Sequence, residues 1–221
     1  PPRSTLFPYT TLFRSPDVYG SCIGFEPFSF DRNKEYYAPY ASRKDKEIAF
    51  ENIGCETYQY FYWDWYQIPR ELGRPAWTEP YFDEGGGNVI MTTYSVPFYR
   101  QESGIRKFRG IVTIDISINW LEEIFSSIKA CKTGFGFLIS KNGNFVTFPN
   151  KNYIMNESIF SVAEEHQDPE LRETGRHMVN GKSGIATVKA KTYGKDGFIY
   201  YTPVTSCGWS VGIFFPEDEL F

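Results

Sequence analysis

The chain has 221 residues, a formal net charge of −4, 41% hydrophobic residues and 23% charged residues. That mix excludes a disordered or collagen-like chain, no apolar run reaches the ~20 residues of a membrane-spanning helix, and the acidic balance leaves no electrostatic footprint for nucleic acid. Two histidines, His166 and His177, and four scattered cysteines, Cys22, Cys55, Cys131 and Cys207, form no CxxC or CxxH motif; no metal site, histidine triad or cofactor is expected, and the thiols are expected to be buried and unpaired.

Residues 1–15 hold a short repeat, Thr5-Leu6-Phe7 and Thr11-Leu12-Phe13, between Arg3 and Arg14. They lack the longer apolar core and small-residue cleavage site of a signal peptide. Thr5–Ser15 is similar to the in-frame translation of a sequencing-adapter oligonucleotide, so this stretch is expected to be an artifact or a tail, and any leader or anchor to be missing.

From Tyr19 the pattern predicts a short strand to Phe28, broken at Pro27. Ser42–Asn52 carries a serine N-cap, charged first turns and a closing Gly54, and predicts a helix. Thr57–Tyr66 reads as a helix or an extended aromatic segment, and Pro69, Gly73 and Pro75 predict a loop. Asn88–Val96 and the alternating, β-branched Gly110–Ile116 predict two antiparallel strands across a polar loop, residues 100–109. Ser117–Lys129 places Ile118, Leu121, Ile124, Phe125 and Ile128 on one helical face.

The second half repeats the theme. Gly134–Ile139 and Asn144–Phe148 flank Lys141-Asn142-Gly143, a hairpin signal. Ser158–His166 and Pro169–Val179 predict helices. Ile185–Lys191, Phe198–Val204 and Trp209–Phe215 predict strands, and Pro216–Phe221 the start of a helix. The fold class is therefore α+β, with an antiparallel sheet flanked by helices in each half. The expected boundaries are 16–117 for a first module, 118–130 for a connecting helix, 131–215 for a second module and 216–221 for the final helix.

Aromatic residues make up 19% of the chain and crowd into one place: seven of the nine residues from Tyr58 to Tyr66 are aromatic. Such a cluster either packs a core or forms a cage for a cation, each contact being worth about 0.5–2 kcal/mol. For Tyr58, Tyr60, Phe61 and Tyr62 the core is the simpler reading. The Gly85-Gly86-Gly87 triplet is a turn; it lacks the Lys-Ser/Thr and helix of a phosphate loop.

Two such halves in tandem, with Trp65-Tyr66, Trp77–Asp83, Thr93–Pro97 and Gly110–Ile116 in the first and Gly134–Gly143 and Tyr200–Gly212 in the second, resemble the double Cache sensor domain. This is a pair of PAS-like modules found outside the membrane on bacterial chemoreceptors, histidine kinases, cyclases and phosphatases. The resemblance spans residues 16–221. It implies a non-enzymatic, extracytoplasmic sensor of a membrane-anchored signalling protein able to form a homodimer, with an amine or amino-acid ligand in the membrane-distal module. Its amino-acid-binding members show a tyrosine, an arginine two residues before a Trp-Tyr pair, a later tyrosine with an aspartate two beyond, and a final strand aspartate. Tyr58, Trp65 with Tyr66, Tyr81 with Asp83, and Asp115 match those positions. Trp63 stands where the arginine belongs. An arginine there would grip a ligand carboxylate, so its loss points to an amine rather than a zwitterion, unless Arg70, Arg74 or Arg100 reaches the site. The second module lacks this set and is expected to bind nothing tightly. Two further readings stay open: a carbohydrate- or protein-binding module using exposed Trp63, Trp65 and Trp77, and a glycosidase using two of Asp64, Glu79, Asp83 and Asp115.

Overall fold

The computed structural model describes residues 13–15, 17–44, 47–128 and 130–220. Most of the adapter-like stretch, and Phe221, lie outside the described residues. The chain divides between Ser117 and Ile118 into two compact units.

The first unit is a sheet. Its strands are Gly20–Phe25 (β1), Pro39–Lys44 (β2), Glu47–Asn52 (β3), Ala76–Trp77 (β4), Tyr81–Phe82 (β5), Ile90–Glu102 (β6) and Ile105–Ser117 (β7). The order is β3-β2-β1-β7-β6-β4, with β5 also on β6 and all pairs antiparallel. The helix expected over Ser42–Asn52 is instead the β2–β3 pair. Its apolar Ile48, Ala49 and Phe50 are contiguous rather than spaced to form a helical stripe, and the supposed N-cap Ser42 is a buried strand residue opposite Gly20. Pairing with β1 satisfies the backbone and overrides the local capping signals.

The polar stretch at residues 100–109 is not a loop either. Its strands stay paired to Glu102↔Ile105, and only Ser103 and Gly104 turn, at φ 52° and 81°. Two consecutive positive φ values make a two-residue turn whose twist matches the strands it joins.

Tyr60–Tyr62 forms a 3-10 turn leading into helix α1, Asp64–Leu72. Pro69, expected in a loop, lies inside this helix on its buried face, and Gly73 ends it. An acidic first turn and Arg70 in the last suit the helix dipole. Tyr58, Tyr60 and Phe61 are core, as the composition suggested, but Tyr62 is 70% exposed.

The second unit begins with helix α2, Ile118–Ser127. Strands Phe135–Ile139 (β8), Phe145–Thr147 (β9), Gly184–Val188 (β10), Gly197–Val204 (β11) and Trp209–Pro216 (β12) form a sheet in the order β10-β11-β12-β8-β9. Helices Ile159–Glu165 (α3) and Pro169–Val179 (α4) bury Ile159, Val162, Leu171 and Met178 against Phe137, Phe145, Ile199 and Phe214. Each fully buried side chain of this size contributes roughly 1.5–3 kcal/mol.

Ser158 and Ser161 cap α3 reciprocally, and Asp168 caps α4 through the Leu171 N–H. Two expectations fail at strand ends. β10 stops at Val188 before a short helix, Ala190–Tyr193. The strand of Trp209 runs through Pro216, which is followed by a 3-10 turn, Glu217–Glu219, in place of a regular helix. Of the four unpaired thiols, only Cys22 is buried.

Candidate ligand-binding site

The site is built where α1 faces β4–β6. A cavity of about 270 Å³ is lined by Trp63, Trp65, Ile68, Thr78, Pro80 and Tyr81, with Asp64 and Glu79 completing it. None of its eight lining residues is basic. Trp63 holds the extended N-cap position of α1, and its ring stacks on Tyr58 at 5.4 Å and tilts against Tyr81 at 6.1 Å. Trp65, the second residue of the helix, is buried.

The opposite wall is pinned by Thr78. Its N–H donates to the Thr93 carbonyl, its carbonyl accepts from the Thr92 hydroxyl, and its own hydroxyl oxygen accepts from the Thr93 N–H. This ties the residue between β4 and β5 to β6 and aims Tyr81 inward.

Two carboxylates stand behind the aromatic wall, each 4% exposed. Asp83 follows β5. Its Oδ1 accepts from the Tyr58 hydroxyl at 2.6 Å and its Oδ2 from the Gly87 N–H at 2.6 Å, so the glycine turn wraps the carboxylate. The indole N–H of Trp65 reaches Tyr58 Oη at 3.4 Å. Asp115 lies on β7, where its Oδ1 accepts from the Thr93 hydroxyl at 2.9 Å, and Thr93 in turn meets the Tyr81 hydroxyl at 2.9 Å. Each pocket-wall residue, Trp65 or Tyr81, is therefore joined to one carboxylate through one intermediate hydroxyl.

Burial penalises both charges. It raises Asp83 above the ordinary carboxylate value, opposed by the Gly87 N–H and the Tyr58 hydroxyl. Burial, and then the nearby Asp83 charge, push Asp115 up to about 7, the hydroxyls beside it offsetting this only in part. Among the described residues, neither carboxylate forms a salt bridge.

Tyr58, Trp63, Trp65, Tyr81, Asp83 and Asp115 thus come together. Tyr66 does not. Its hydroxyl donates to Glu26 Oε2 at 2.7 Å and its ring packs edge-on against Tyr60 and Phe108. Successive helical residues point about 100° apart, so Trp65 facing the pocket turns Tyr66 away from it. Arg70 is held by Glu26 at 2.9 Å, on the Tyr66 side. Trp63 and Trp77 are half-buried and Trp65 is buried, so the three form no exposed coplanar platform.

Thr93, and Tyr40, whose buried hydroxyl lies beside Asp115, are the residues that sequence reasoning missed. The Thr93–Asp115 pairing across β6 and β7 was available from the two-strand pattern, but Tyr40 was assigned to no element. A larger groove, about 600 Å³, lies beside α2 in the second unit and is lined by Phe125, Ile128, Phe135, Phe148, Glu122 and Lys151 among others. It offers apolar surface and a Lys151–Glu122 pair, and none of its lining carboxylates is as buried as Asp83 or Asp115.

Residues 9–123 match the family model for the methyl-accepting chemotaxis protein-like first PDC sensor domain. The chain is 26% identical over 160 residues to the methyl-accepting chemotaxis proteins McpC of Bacillus subtilis and McpA of Pseudomonas putida. Those matches cover 71% of this chain and 20% and 22% of the two relatives, so the chain corresponds to about a fifth of their length. Among solved structures, the extracellular domain of histidine kinase mmHK1S-Z3 is 25% identical with a TM-score of 0.76, over 96% of this chain and 77% of that one. The ligand-binding domain of the Pseudomonas aeruginosa amino-acid chemoreceptor PctB, in complex with L-Gln, shares the fold at a TM-score of 0.61 and 20% identity, over 98% of this chain and 78% of that one.

Proposed function

The chain belongs to the methyl-accepting chemotaxis protein-like family of first PDC sensor domains, and from that premise we propose that it binds a small amine, or an amino-acid-like molecule led by its ammonium group, in the cavity of the first unit. It is an extracytoplasmic sensor domain of the chemoreceptor and histidine-kinase type. In our reading the full-length protein is membrane-anchored, the first unit is the membrane-distal module, and ligand binding shifts a two-state equilibrium relayed to an output domain. Only a difference in ligand affinity between the two states can drive such a relay.

One observation carries the ligand class. An aromatic wall with no basic lining residue stands in front of two buried carboxylates that no cation among the described residues neutralises. The π faces of Trp63, Trp65 and Tyr81 attract a cation, and each carboxylate supplies a charge-assisted acceptor worth roughly 1.5–3 kcal/mol. A ligand carboxylate finds no such partner. The cavity's 270 Å³ suits a molecule of amino-acid size.

Titration calorimetry against matched pairs tests this. PctB is solved with L-Gln and with L-Arg, so arginine is compared with agmatine, which keeps the cationic groups and lacks the carboxylate, and glutamine is included. Agmatine should bind more tightly than arginine. Tighter binding of arginine would reverse the ligand class, and no heat from any amine or amino acid would remove it.

A further inference from the structure

The proposed site has a feature that the ligand class leaves unexplained: two mutually repelling carboxylates are buried with no counter-charge among the described residues. The groups facing Asp115 come from every element packed around it. They are Tyr19 ahead of β1, Cys22 on β1, Tyr40 on β2, Tyr81 and Asp83 on and after β5, Thr93 on β6, and Thr113 on β7 itself. None is basic. Two adjacent buried carboxylates with no cation cannot both stay ionised cheaply, because desolvation and mutual repulsion both favour retention of a proton.

The buried Tyr40 hydroxyl beside Asp115 is a second sign of an incomplete polar cluster behind the cavity wall. Tyr40 is 3% exposed and its hydroxyl oxygen has no hydrogen-bond partner among the described residues. Tyr40 Oη and Asp115 Oδ2 would stand 2.2 Å and 2.8 Å from a side chain's first carbon at residue 20, where glycine leaves both room. The hydroxyl is thus beside the carboxylate oxygen that Thr93 does not hold, near enough to favour its ionised form although no well-formed hydrogen bond joins them. Buried polar groups normally find a partner, and an ammonium or a proton between these oxygens would provide one.

We propose that the empty site holds one proton on the Asp83–Asp115 pair, carried mainly on Asp115, and that a cationic ligand enters in exchange for it. The balance is simple: R–NH₃⁺ binds, the O–H bond of the carboxylic acid breaks, and the proton leaves to solvent, so net charge in the site is conserved. The acidity of Asp115 places this exchange near neutral pH. Occupancy of the sensor then reports the ratio of amine to proton: affinity rises roughly tenfold per pH unit below the Asp115 midpoint and levels off above it. The inference rests on the amine reading above.

The probe is n-butylamine, a monocation throughout the range used. Calorimetry at about pH 6 in two buffers of different ionisation enthalpy should give a buffer-dependent heat corresponding to about one proton released per amine bound, falling toward zero at about pH 8.5. Without ligand, carbon-13 NMR of the labelled aspartate carboxyls, with Asp115 assigned through Asp115→Asn, should show it titrating near neutrality. Tyr40→Phe should move that midpoint upward, a shift that a merely structural role would not produce.

Butylamine binding with no buffer dependence overturns the exchange and leaves the amine reading standing. An Asp115 carboxyl that titrates in the ordinary carboxylate range overturns it as well. No butylamine binding at any pH, with Asp115 still titrating near neutrality, overturns the amine reading and the exchange with it.

Discussion

Thr93 donates its hydroxyl hydrogen to Asp115 Oδ1 across 2.9 Å, and the two residues are direct cross-strand partners in the β6–β7 register. A threonine hydroxyl has one hydrogen to give. Once it is committed to Asp115, Tyr81 must be the donor in the 2.9 Å contact with Thr93. The cavity wall is in this way connected to the buried charge by a chain of defined direction.

Thr93→Val should break that chain. It removes a buried donor from a carboxylate and an acceptor from Tyr81, and should cost about 1–3 kcal/mol of stability and about tenfold in amine affinity. Thr93→Ser should keep most of both. Denaturant unfolding with parallel calorimetry distinguishes them, and equal behaviour of the two variants would refute the relay.

The pH dependence of stability has a definite sign. Asp115 binds its proton more tightly folded, at about 7, than unfolded, where an aspartate has its ordinary value of 3.8. Its neutral form therefore contributes stability that is fully present below the unfolded value and is lost as pH rises through the folded one. Asp83 is raised in the same direction. Titration of Asp115 should cost the ligand-free chain a few kcal/mol, ~4, between about pH 4 and about pH 8, and Asp115→Asn should flatten the profile. Stability that rises across this window in urea titrations would contradict the assignment.

Gly20→Ala tests the close approach of Tyr40 to Asp115. The new carbon would stand 2.2 Å from Tyr40 Oη, and the overpacking should cost about 1–3 kcal/mol. The same change in a Tyr40→Phe background should cost less, because the nearest clashing atom is gone. A double-mutant cycle by thermal unfolding measures the coupling; strict additivity would mean that the two do not meet.

Trp63→Arg restores a guanidinium at the lip of the cavity. Affinity for arginine and glutamine should rise relative to agmatine, since the fork would pair with the α-carboxylate. A shift in favour of agmatine would show that Trp63 is not where a ligand carboxylate would lie.

Much of this was legible in the residue pattern. The β6–β7 hairpin, the capped helices α3 and α4, and the β8–β9 turn at Gly143 are local, and their signals agree with the fold. Ser42–Asn52 misled because its capping residues describe a helix while its backbone partner, β1, is about twenty residues away. The Trp65-Tyr66 pair was read as one feature, yet helical geometry sends Trp65 to the cavity and Tyr66 to Glu26.

The sequence by itself determined the α+β class, the aromatic crowding from Tyr58 to Tyr66 and the absence of an arginine at position 63, because these depend on residue type and local periodicity. Only the tertiary structure decided which of those aromatics face a cavity, that Thr93 bridges Tyr81 to Asp115, and that Gly20 lets Tyr40 approach Asp115. Those relationships join residues 12 to 95 positions apart, and their energies come from desolvation and hydrogen bonding between strands, which no local pattern records.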